Sequence, residues 1–169
     1  MLPKHLAIAC LVYFGSVGFS AVTDAWNVRS NGIGPLRVGM TVGQLNATLH
    51  ESFAIPDDKE ERQCYYVSTG RRPGISFMIQ GQRFVRVDVD DRNTATAEGI
   101  RIGDSEARVK QVYGPKLEVE PNHYDPQDDN LTIHSADHRY GIRFETDNGK
   151  ITSFYAGSSS AIELIEGCS

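Results

Sequence analysis

Apolar and polar positions follow two periods along this chain. Two short segments carry apolar residues at helical spacing: Val42, Leu45 and Leu49 in the first, and Val109, Val112 and Tyr113 in the second. Elsewhere apolar and polar residues alternate one by one, as they do in half-buried strands. This alternation predicts strands at Cys64–Ser68, Ile75–Gln80 and 83–90, and at 131–135, 140–146 and 150–155. Each half of the chain is therefore predicted to form one short helix followed by antiparallel strands.

Local signals mark where these elements begin and turn. Thr41 followed by Gln44 forms a capping box at the first helix, and Gly114-Pro115 ends the second. Gly81-Gln82 predicts a type II′ hairpin turn, and Asn148-Gly149 predicts a type I′ turn. A polar loop is expected at 120–130, and residues 161–166 are expected to add an edge strand that leads to Cys168.

The two halves also resemble each other residue by residue. Residues 36–49 align with 100–113 at an offset of 64, and Gly74-Ile-Ser-Phe aligns with Gly141-Ile-Arg-Phe at an offset of 67. We predict an α+β fold of two tandem helix-plus-antiparallel-sheet repeats, which span residues 21–93 and 94–169 and pack as one body. Two repeats are too few for a solenoid, so they are expected to pair with each other.

Strict alternation assigns the strand residues to two faces of the sheet. One face carries the Val, Ile and Phe residues and is expected to lie under the helices. The opposite face is predicted to carry the binding surface, with Met78, Phe84, Arg86, Arg143 and Tyr155. Aromatic and Arg side chains often dominate binding energy at interfaces. The alternative is that a tail, such as residues 161–166, folds back and covers them.

The two helix entries resemble a known family. Residues 34–45 and 98–109 are similar to the entry motif of β-lactamase-inhibitor-protein-like folds, which BamE-type outer-membrane assembly lipoproteins carry once per chain. The resemblance covers roughly residues 32–157. It implies two repeats side by side in an exported protein, and it implies that a sheet face and a loop bind a protein target. Residues 75–88 also resemble exported bacterial proteins of which some are labelled lectin-like, which keeps sugar binding open.

The N-terminal residues predict export. Lys4 and His5 precede an apolar stretch, and small residues follow near Ser20 and Ala21, as in a secretory signal peptide. We predict a signal peptide at residues 1–20 and a periplasmic or secreted location. An N-terminal anchor helix is the alternative, and lipidation of Cys10 stays open.

Export gives the remaining cysteines a structural role. If Cys10 leaves with the signal peptide, Cys64 and Cys168 remain as an even pair in an oxidising compartment, and we predict that they form a disulfide. A catalytic thiol is the alternative, but neither cysteine has a His nearby in sequence.

Composition and motifs narrow the function further. A formal net charge of −5 argues against nucleic acid as a partner, and no apolar run after residue 22 is long enough for a membrane span. The chain has no Gly-x-Ser-x-Gly elbow and no Gly-rich phosphate loop. His123, His134 and His138 lie close together, but their spacing matches no metal site. We therefore expect no enzyme activity, no cofactor and no metal.

One function and one alternative follow from these observations. The chain is predicted to be an exported binding protein that binds or inhibits a protein partner through the outer sheet face. The alternative is a lectin-like protein that binds carbohydrate or another cell-envelope component, with an envelope glycan as its partner.

Overall fold

The structure, a computed structural model, describes residues 26–168. These contain ten strands, three α-helices and two 3₁₀ helices, the latter at Glu61–Gln63 and Gly114–Lys116. In chain order the elements are β1 (Val28–Arg29), β2 (Gly32–Ile33), β3 (Leu36–Arg37), α1 (Val42–Leu49), β4 (Cys64–Ser68), β5 (Ile75–Gln80), β6 (Arg83–Val89), α2 (Glu106–Tyr113), β7 (Leu117–Pro121), β8 (Asp129–His134), β9 (Tyr140–Asp147), β10 (Lys150–Ser158) and α3 (Ser159–Ile162). The predicted signal peptide, residues 1–20, lies outside the described residues. No helix of the described residues is long and apolar enough to cross a membrane.

Seven strands form one antiparallel sheet, in the order β4-β5-β6-β10-β9-β8-β7. The strands of the two halves meet where β10 pairs with β6, from Phe154 opposite Val89 to Gly157 opposite Arg86. The sheet is therefore continuous across the two halves, and the fold is α+β with a mostly antiparallel sheet and few helices. The remaining strands, β1 to β3, form a small separate sheet.

The first two helices pack against the same hydrophobic core. Leu45 of α1 and Val109 of α2 are fully buried, and both belong to the cluster that includes Phe77 and Phe144 of the large sheet. One face of the sheet therefore lies under α1 and α2, as the apolar pattern predicts. Helices of eight residues are marginal in isolation, so this packing stabilises them.

The helix entries have the predicted local structure. The Thr41 amide donates to the Gln44 side chain at 2.8 Å, and the Gln44 amide donates to the Thr41 hydroxyl, which completes a capping box. The glycine that precedes each helix makes an equivalent backbone hydrogen bond to the sheet. Gly39 donates to the Phe84 carbonyl and Gly103 to the Ile151 carbonyl, both at 2.8 Å. Their φ angles of +95° and +93° favour glycine at both positions.

Both predicted hairpin turns are present, and one has a different type. Asn148 and Gly149 have positive φ, as a type I′ turn requires. Gly81 and Gln82 have φ angles of +55° and +64°, so this turn is also type I′ and the predicted type II′ is wrong. Type I′ turns match the right-handed twist of the strands that they join, and this favours the turn although Gln82 must adopt the left-handed region, which non-glycine residues adopt only at a cost.

A β-bulge reverses the face predicted for Phe84. On β6, Arg86 lies opposite Met78, whereas Phe84 lies opposite Ile79, so Val85 is an extra residue. Phe84 therefore points into the core, where its ring meets that of Phe77 edge to face at 5.5 Å. The prediction that Phe84 lies on the outer face is wrong. Side chains alternate between the two faces of a sheet only where strand pairing is regular, and the bulge interrupts this pairing. A second bulge lies between Ile151 and Ser153 of β10.

The chain beyond β10 turns back onto the outer face of the sheet. Residues 161–166 are not an edge strand, since α3 ends at Ile162 and turns follow it. Ala161 and Ile162 are fully buried. The predicted disulfide between Cys64 and Cys168 is present and joins the end of this C-terminal segment, residues 159–168, to the edge strand β4. At the opposite edge, β7 takes up the start of the predicted polar loop.

Candidate functional site

The five residues predicted to form an exposed binding surface are all buried. The exposed fractions are 0% for Met78 and Phe84, 3% for Arg86, 5% for Tyr155 and 9% for Arg143. Phe84 belongs to the core, as described above. The other four lie on the outer face, where the C-terminal segment packs. The expectation that these side chains are exposed is therefore wrong, and for Arg86 the contacts with residues 161–164 match the tail-covered alternative. A binding role for them stays a prediction.

Arg86 holds the C-terminal segment against the sheet. Its guanidinium donates to the carbonyl oxygens of Ala161 at 2.9 Å and Leu164 at 2.7 Å. It also pairs with both carboxylate oxygens of Asp88, at 2.7 and 2.8 Å, and lies 4.3 Å from the ring centre of Tyr155. Most of its donors are thus used within the protein, which supports a structural role.

Arg143 and Tyr155 are likewise bonded within the outer face. Arg143 donates to the Thr132 hydroxyl at 2.9 Å and to Glu120 at 3.2 Å. The Tyr155 hydroxyl donates to Glu145 at 3.0 Å, and burial together with this carboxylate raises the pKa of Tyr155. Both side chains are therefore hydrogen-bonded to neighbouring residues of the sheet.

A large concave surface lies elsewhere, on the helix side of the sheet. It is a cleft of about 910 Å³ between the end of α2 and the turn that joins β8 to β9. Its other side is closed by the turn between β1 and β2 and by the linker between β6 and α2, which contains Glu98. We call it the hairpin cleft, and its wall contains Arg29, Ser30, Asn31, Ala97, Glu98, Val112, Tyr113, Lys116, Ile133, His134, Ser135, Ala136, Asp137, Arg139, Tyr140 and Ile142.

A parallel β-bridge joins two distant segments of the chain in one wall of the hairpin cleft. Val28 of β1 pairs with Thr96, and the Val28 amide donates to the Ala95 carbonyl at 2.9 Å. The linker therefore runs beside β1, and this places Arg29 and Glu98 on the same cleft. The pairing joins segments almost seventy residues apart, so it depends on the tertiary structure.

Tyr113 at the end of α2 connects the helix to this linker. Its hydroxyl donates to the Glu98 carboxylate at 3.0 Å and lies 3.3 Å from the Thr96 hydroxyl. Burial is the main cause that raises the pKa of Tyr113, so its hydroxyl stays protonated at neutral pH. The half-buried ring packs near Phe144 of the core, at 5.9 Å between ring centres. Tyr113 is thus held by both its ring and its hydroxyl.

The turn between β8 and β9 carries a bonded acidic group. Asp137 accepts hydrogen bonds from the Ser135 hydroxyl at 2.7 Å and from the Arg139 side chain at 2.6 Å. These two bonds, the Ser135 one first, lower the pKa of Asp137 to about 2. Arg139 in turn lies 5.6 Å from the ring centre of Tyr140. The turn therefore presents an ionised carboxylate, an Arg and a Tyr to the hairpin cleft.

A second concave region surrounds Trp26. Two smaller clefts, of about 360 and 410 Å³, share Trp26, Arg71 and Arg72 in their walls. The Arg72 guanidinium lies 3.9 Å from the centre of the Trp26 ring, and a Cβ at Gly34 would come within 3.2 Å of the same ring. The indole is thus already packed by the protein, which leaves the hairpin cleft as the better site for an aromatic contact with a ligand.

The histidines that the sequence offers as metal ligands do not form a metal site with other side chains of residues 26–168. The rings of His134 and His138 are 5.7 Å apart, and His134 lies 3.5 Å from the Glu118 carboxylate. Within residues 26–168, no group of three or more His, Cys, Asp or Glu side chains is placed to hold a metal ion.

Sequence reasoning did not identify the hairpin cleft as a site. Tyr113 was assigned to the apolar stripe of its helix, and Tyr140 to the start of a strand. The only signal was the mixture of His, Asp, Arg and Tyr residues in 134–140, which was weighed for metal binding alone. Arg29 and Lys116 carry no local signal, because they reach the cleft through the packing of separate segments.

Comparison with known proteins yields little similarity. No family model and no curated protein sequence matches the chain. One solved structure, an extracellular protein containing an SCP domain from Bacillus anthracis str. Ames, is similar over 72% of this chain, with 9% identity and a TM-score of 0.45. The match covers 44% of that protein, so the chain spans less than half of its length. At this level the similarity assigns neither a family nor a function.

Proposed function

We propose that this chain is an exported, non-enzymatic binding protein and that the hairpin cleft is its site for a saccharide ligand. The observation that carries the proposal is a cleft of about 910 Å³ that combines Tyr113 and Tyr140 with hydrogen-bonding side chains. This volume lies within the range of about 300–1,000 Å³ that is typical of small-molecule sites.

The chemistry of the hairpin cleft fits a sugar. A sugar ring has apolar C–H faces and a rim of hydroxyl groups, so it needs aromatic surface and planar polar groups together. Tyr140 is half-buried and offers such a surface, since a tyrosine has an apolar ring and a polar hydroxyl. Asn31 and Arg139 add hydrogen-bonding groups to the same wall.

The covered outer face favours this site over the predicted protein-binding surface. All of Met78, Arg86, Arg143 and Tyr155 are buried, and a protein partner at Arg86 would first have to displace the C-terminal segment. That segment is attached by the disulfide at Cys168. Capture of a protein partner remains an outcome that the experiment below distinguishes.

Export is supported by two independent features. Disulfides persist mainly in oxidising compartments, and Cys64 and Cys168 are paired. The apolar N-terminal stretch has the pattern of a secretory signal. Both the periplasm and the extracellular space are compatible with these features.

A two-repeat arrangement like that of the β-lactamase-inhibitor-like proteins is part of the proposal. It is supported by equivalent contacts at equivalent positions. The cap residue Thr41 bridges to Arg83 at the start of β6, and the cap residue Ser105 bridges to Lys150 at the start of β10. The repeats would then be residues 21–93 and 94–169, with the hairpin cleft beside their junction.

The carboxylates of the hairpin cleft support binding rather than hydrolysis. Glycoside hydrolysis requires one carboxyl group that is protonated at the working pH. Asp137 has a pKa of about 2, because Ser135 and Arg139 stabilise its charged form, so it is ionised at neutral pH. Glu98 accepts the bond from Tyr113 and is tied to the wall.

A glycan array probed with the purified, disulfide-bonded protein tests the proposal. We expect at least one saccharide to bind, and we expect Tyr140→Ala to weaken that binding at least tenfold in calorimetry. Tyr124→Ala is the matched control, since Tyr124 is 65% exposed outside the hairpin cleft. Absence of any bound saccharide, or equal binding by the Tyr140→Ala variant, would contradict the proposal. Recovery of a protein partner instead, with its binding unaffected by Tyr140→Ala, would favour the outer face.

A further inference from the structure

The hairpin cleft contains more cationic than anionic side chains. Arg29, Lys116 and Arg139 line it, against Glu98 and Asp137. The chain as a whole has a formal net charge of −5, so this balance is opposite to that of the molecule. Local charge of one sign in a cleft raises the local concentration of ligands of the opposite sign.

The two acidic groups in the wall are already bonded within the protein. Glu98 accepts from the Tyr113 hydroxyl, and Asp137 accepts from Ser135 and Arg139. Their charges and lone pairs are thus partly satisfied, which reduces their capacity to bind ligand donors.

Two of the cationic side chains, unlike these carboxylates, are not bonded to other residues of the described range. Arg29, at the end of β1, and Lys116, after the end of α2, make neither an ion pair nor a side-chain hydrogen bond with any residue of the described range 26–168. Both side chains are exposed at the wall of the hairpin cleft. The site therefore offers charged donors that have no acceptor among residues 26–168.

We infer that the ligand of the hairpin cleft is an acidic saccharide, whose carboxylate is bound by Arg29 and Lys116. This inference rests on the proposed saccharide function and names the class of sugar. The planar guanidinium of Arg29 matches the geometry of a carboxylate, and the Lys116 ammonium adds a point charge. Tyr140 and the neutral polar groups then contact the sugar ring, while the two cations distinguish an acidic sugar from a neutral one.

Pairs of saccharides that differ only in charge test the inference. The probes are uronic-acid oligosaccharides, including oligogalacturonates, each compared by calorimetry with its neutral methyl ester. Sulfated oligosaccharides form a third arm. We expect the carboxylate forms to bind at least tenfold more tightly than their esters at low salt, with the difference decreasing as salt is raised.

Charge-neutral variants identify the residues responsible. Arg29→Gln and Lys116→Gln should each weaken binding of the acidic form about tenfold and leave binding of a methyl ester unchanged. Arg101→Gln and Lys150→Gln are matched controls, because both side chains are exposed outside the hairpin cleft. All four positions are exposed, so the variants are expected to fold.

The outcomes separate this inference from the proposed function. Equal binding of acids and esters, with Tyr140→Ala still weakening both, would overturn the inference and retain the saccharide site. Preference for sulfated over carboxylate forms would overturn the choice of carboxylate. Unchanged binding of the acidic saccharide by Arg29→Gln and Lys116→Gln would overturn the assignment of these two residues. Failure of every saccharide to bind would overturn the proposed function itself.

Discussion

Arg86 and Leu164 are 78 residues apart in sequence, yet the Arg86 guanidinium donates to the Leu164 carbonyl oxygen at 2.7 Å. This contact closes the C-terminal segment over the outer face of the sheet. The Arg86 guanidinium is therefore bonded within the protein and is not a free surface charge. It replaces water at main-chain carbonyls that the fold has buried.

Replacing Arg86 should therefore destabilise the protein. Arg86→Leu removes the charged partner of Asp88, which keeps only the bond from the Tyr66 hydroxyl, and it removes one donor from each of the Ala161 and Leu164 carbonyls. We expect the free energy of unfolding to fall by about 3 kcal/mol in urea titrations with the disulfide intact. Arg92→Leu, at an exposed position, is the control and should change it by less than about 0.5 kcal/mol. A loss of under about 1 kcal/mol in Arg86→Leu would contradict the assigned role.

The bulge at Val85 predicts which of two adjacent side chains supports the core. Phe84→Ala removes a fully buried ring and should cost about 3–5 kcal/mol of unfolding free energy. Val85→Ala, at a half-buried position, should cost under about 1.5 kcal/mol. Chemical denaturation of the two variants measures both values. The reverse order would show that β6 alternates regularly and that Phe84 faces outward.

Loss of the disulfide should weaken the fold without releasing all of the C-terminal segment. The bond joins residues 104 apart, and for such a loop the chain-entropy account gives roughly 4–5 kcal/mol. We expect a loss approaching this value in a Cys64→Ser, Cys168→Ser double variant. Hydrogen exchange should accelerate at 165–168 and less so up to Leu164, because Arg86 still binds the carbonyls of Ala161 and Leu164.

Reduction provides the control for the disulfide prediction. Reductant should shift the unfolding midpoint of the natural protein towards that of the double variant and leave the variant unchanged. Equal stability of the oxidised and reduced proteins would contradict the prediction.

Asp137 predicts a response of the hairpin cleft to acid. Its pKa is lowered from 3.8 to about 2 by Ser135 and Arg139, so its folded form binds protons less readily than its unfolded form. The stabilising contribution is therefore fully present above about pH 4 and is lost as the pH falls from 3.8 towards 2. Carboxyl titration by NMR should give the low value in the natural protein. It should give a higher value in Arg139→Gln, and an equal value in both would contradict the assigned bonds.

Features that depend on neighbouring residues were predictable from the sequence. The capping box of Thr41 and Gln44 and the turn at Asn148-Gly149 involve groups two to four residues apart, and both are present. The strands β4 and β5 also have their predicted bounds, since their alternation is regular. The pairing of Cys64 with Cys168 followed from counting the cysteines that remain after a predicted signal peptide.

Side-chain faces were predictable only as far as the strand ladder stayed regular. A side chain alternates with a period of two, so one extra residue inverts every assignment on one side of it. Val85 is such a residue, and it moves Phe84 from the predicted outer face to the core. Whether a bulge forms is decided by the pairing with β5 and by the packing of the helix entry at Gly39, which the local pattern does not contain.

The sequence alone thus determined the helix caps, the hairpins, most strand positions and the disulfide, because each depends on short-range geometry or on cysteine number. The tertiary structure alone decided which surfaces remain free. The C-terminal segment covers the outer face through Arg86, and the bridge between Val28 and Thr96 assembles the hairpin cleft from separate segments. Both are long-range contacts, selected by the packing of the whole chain rather than by any local preference.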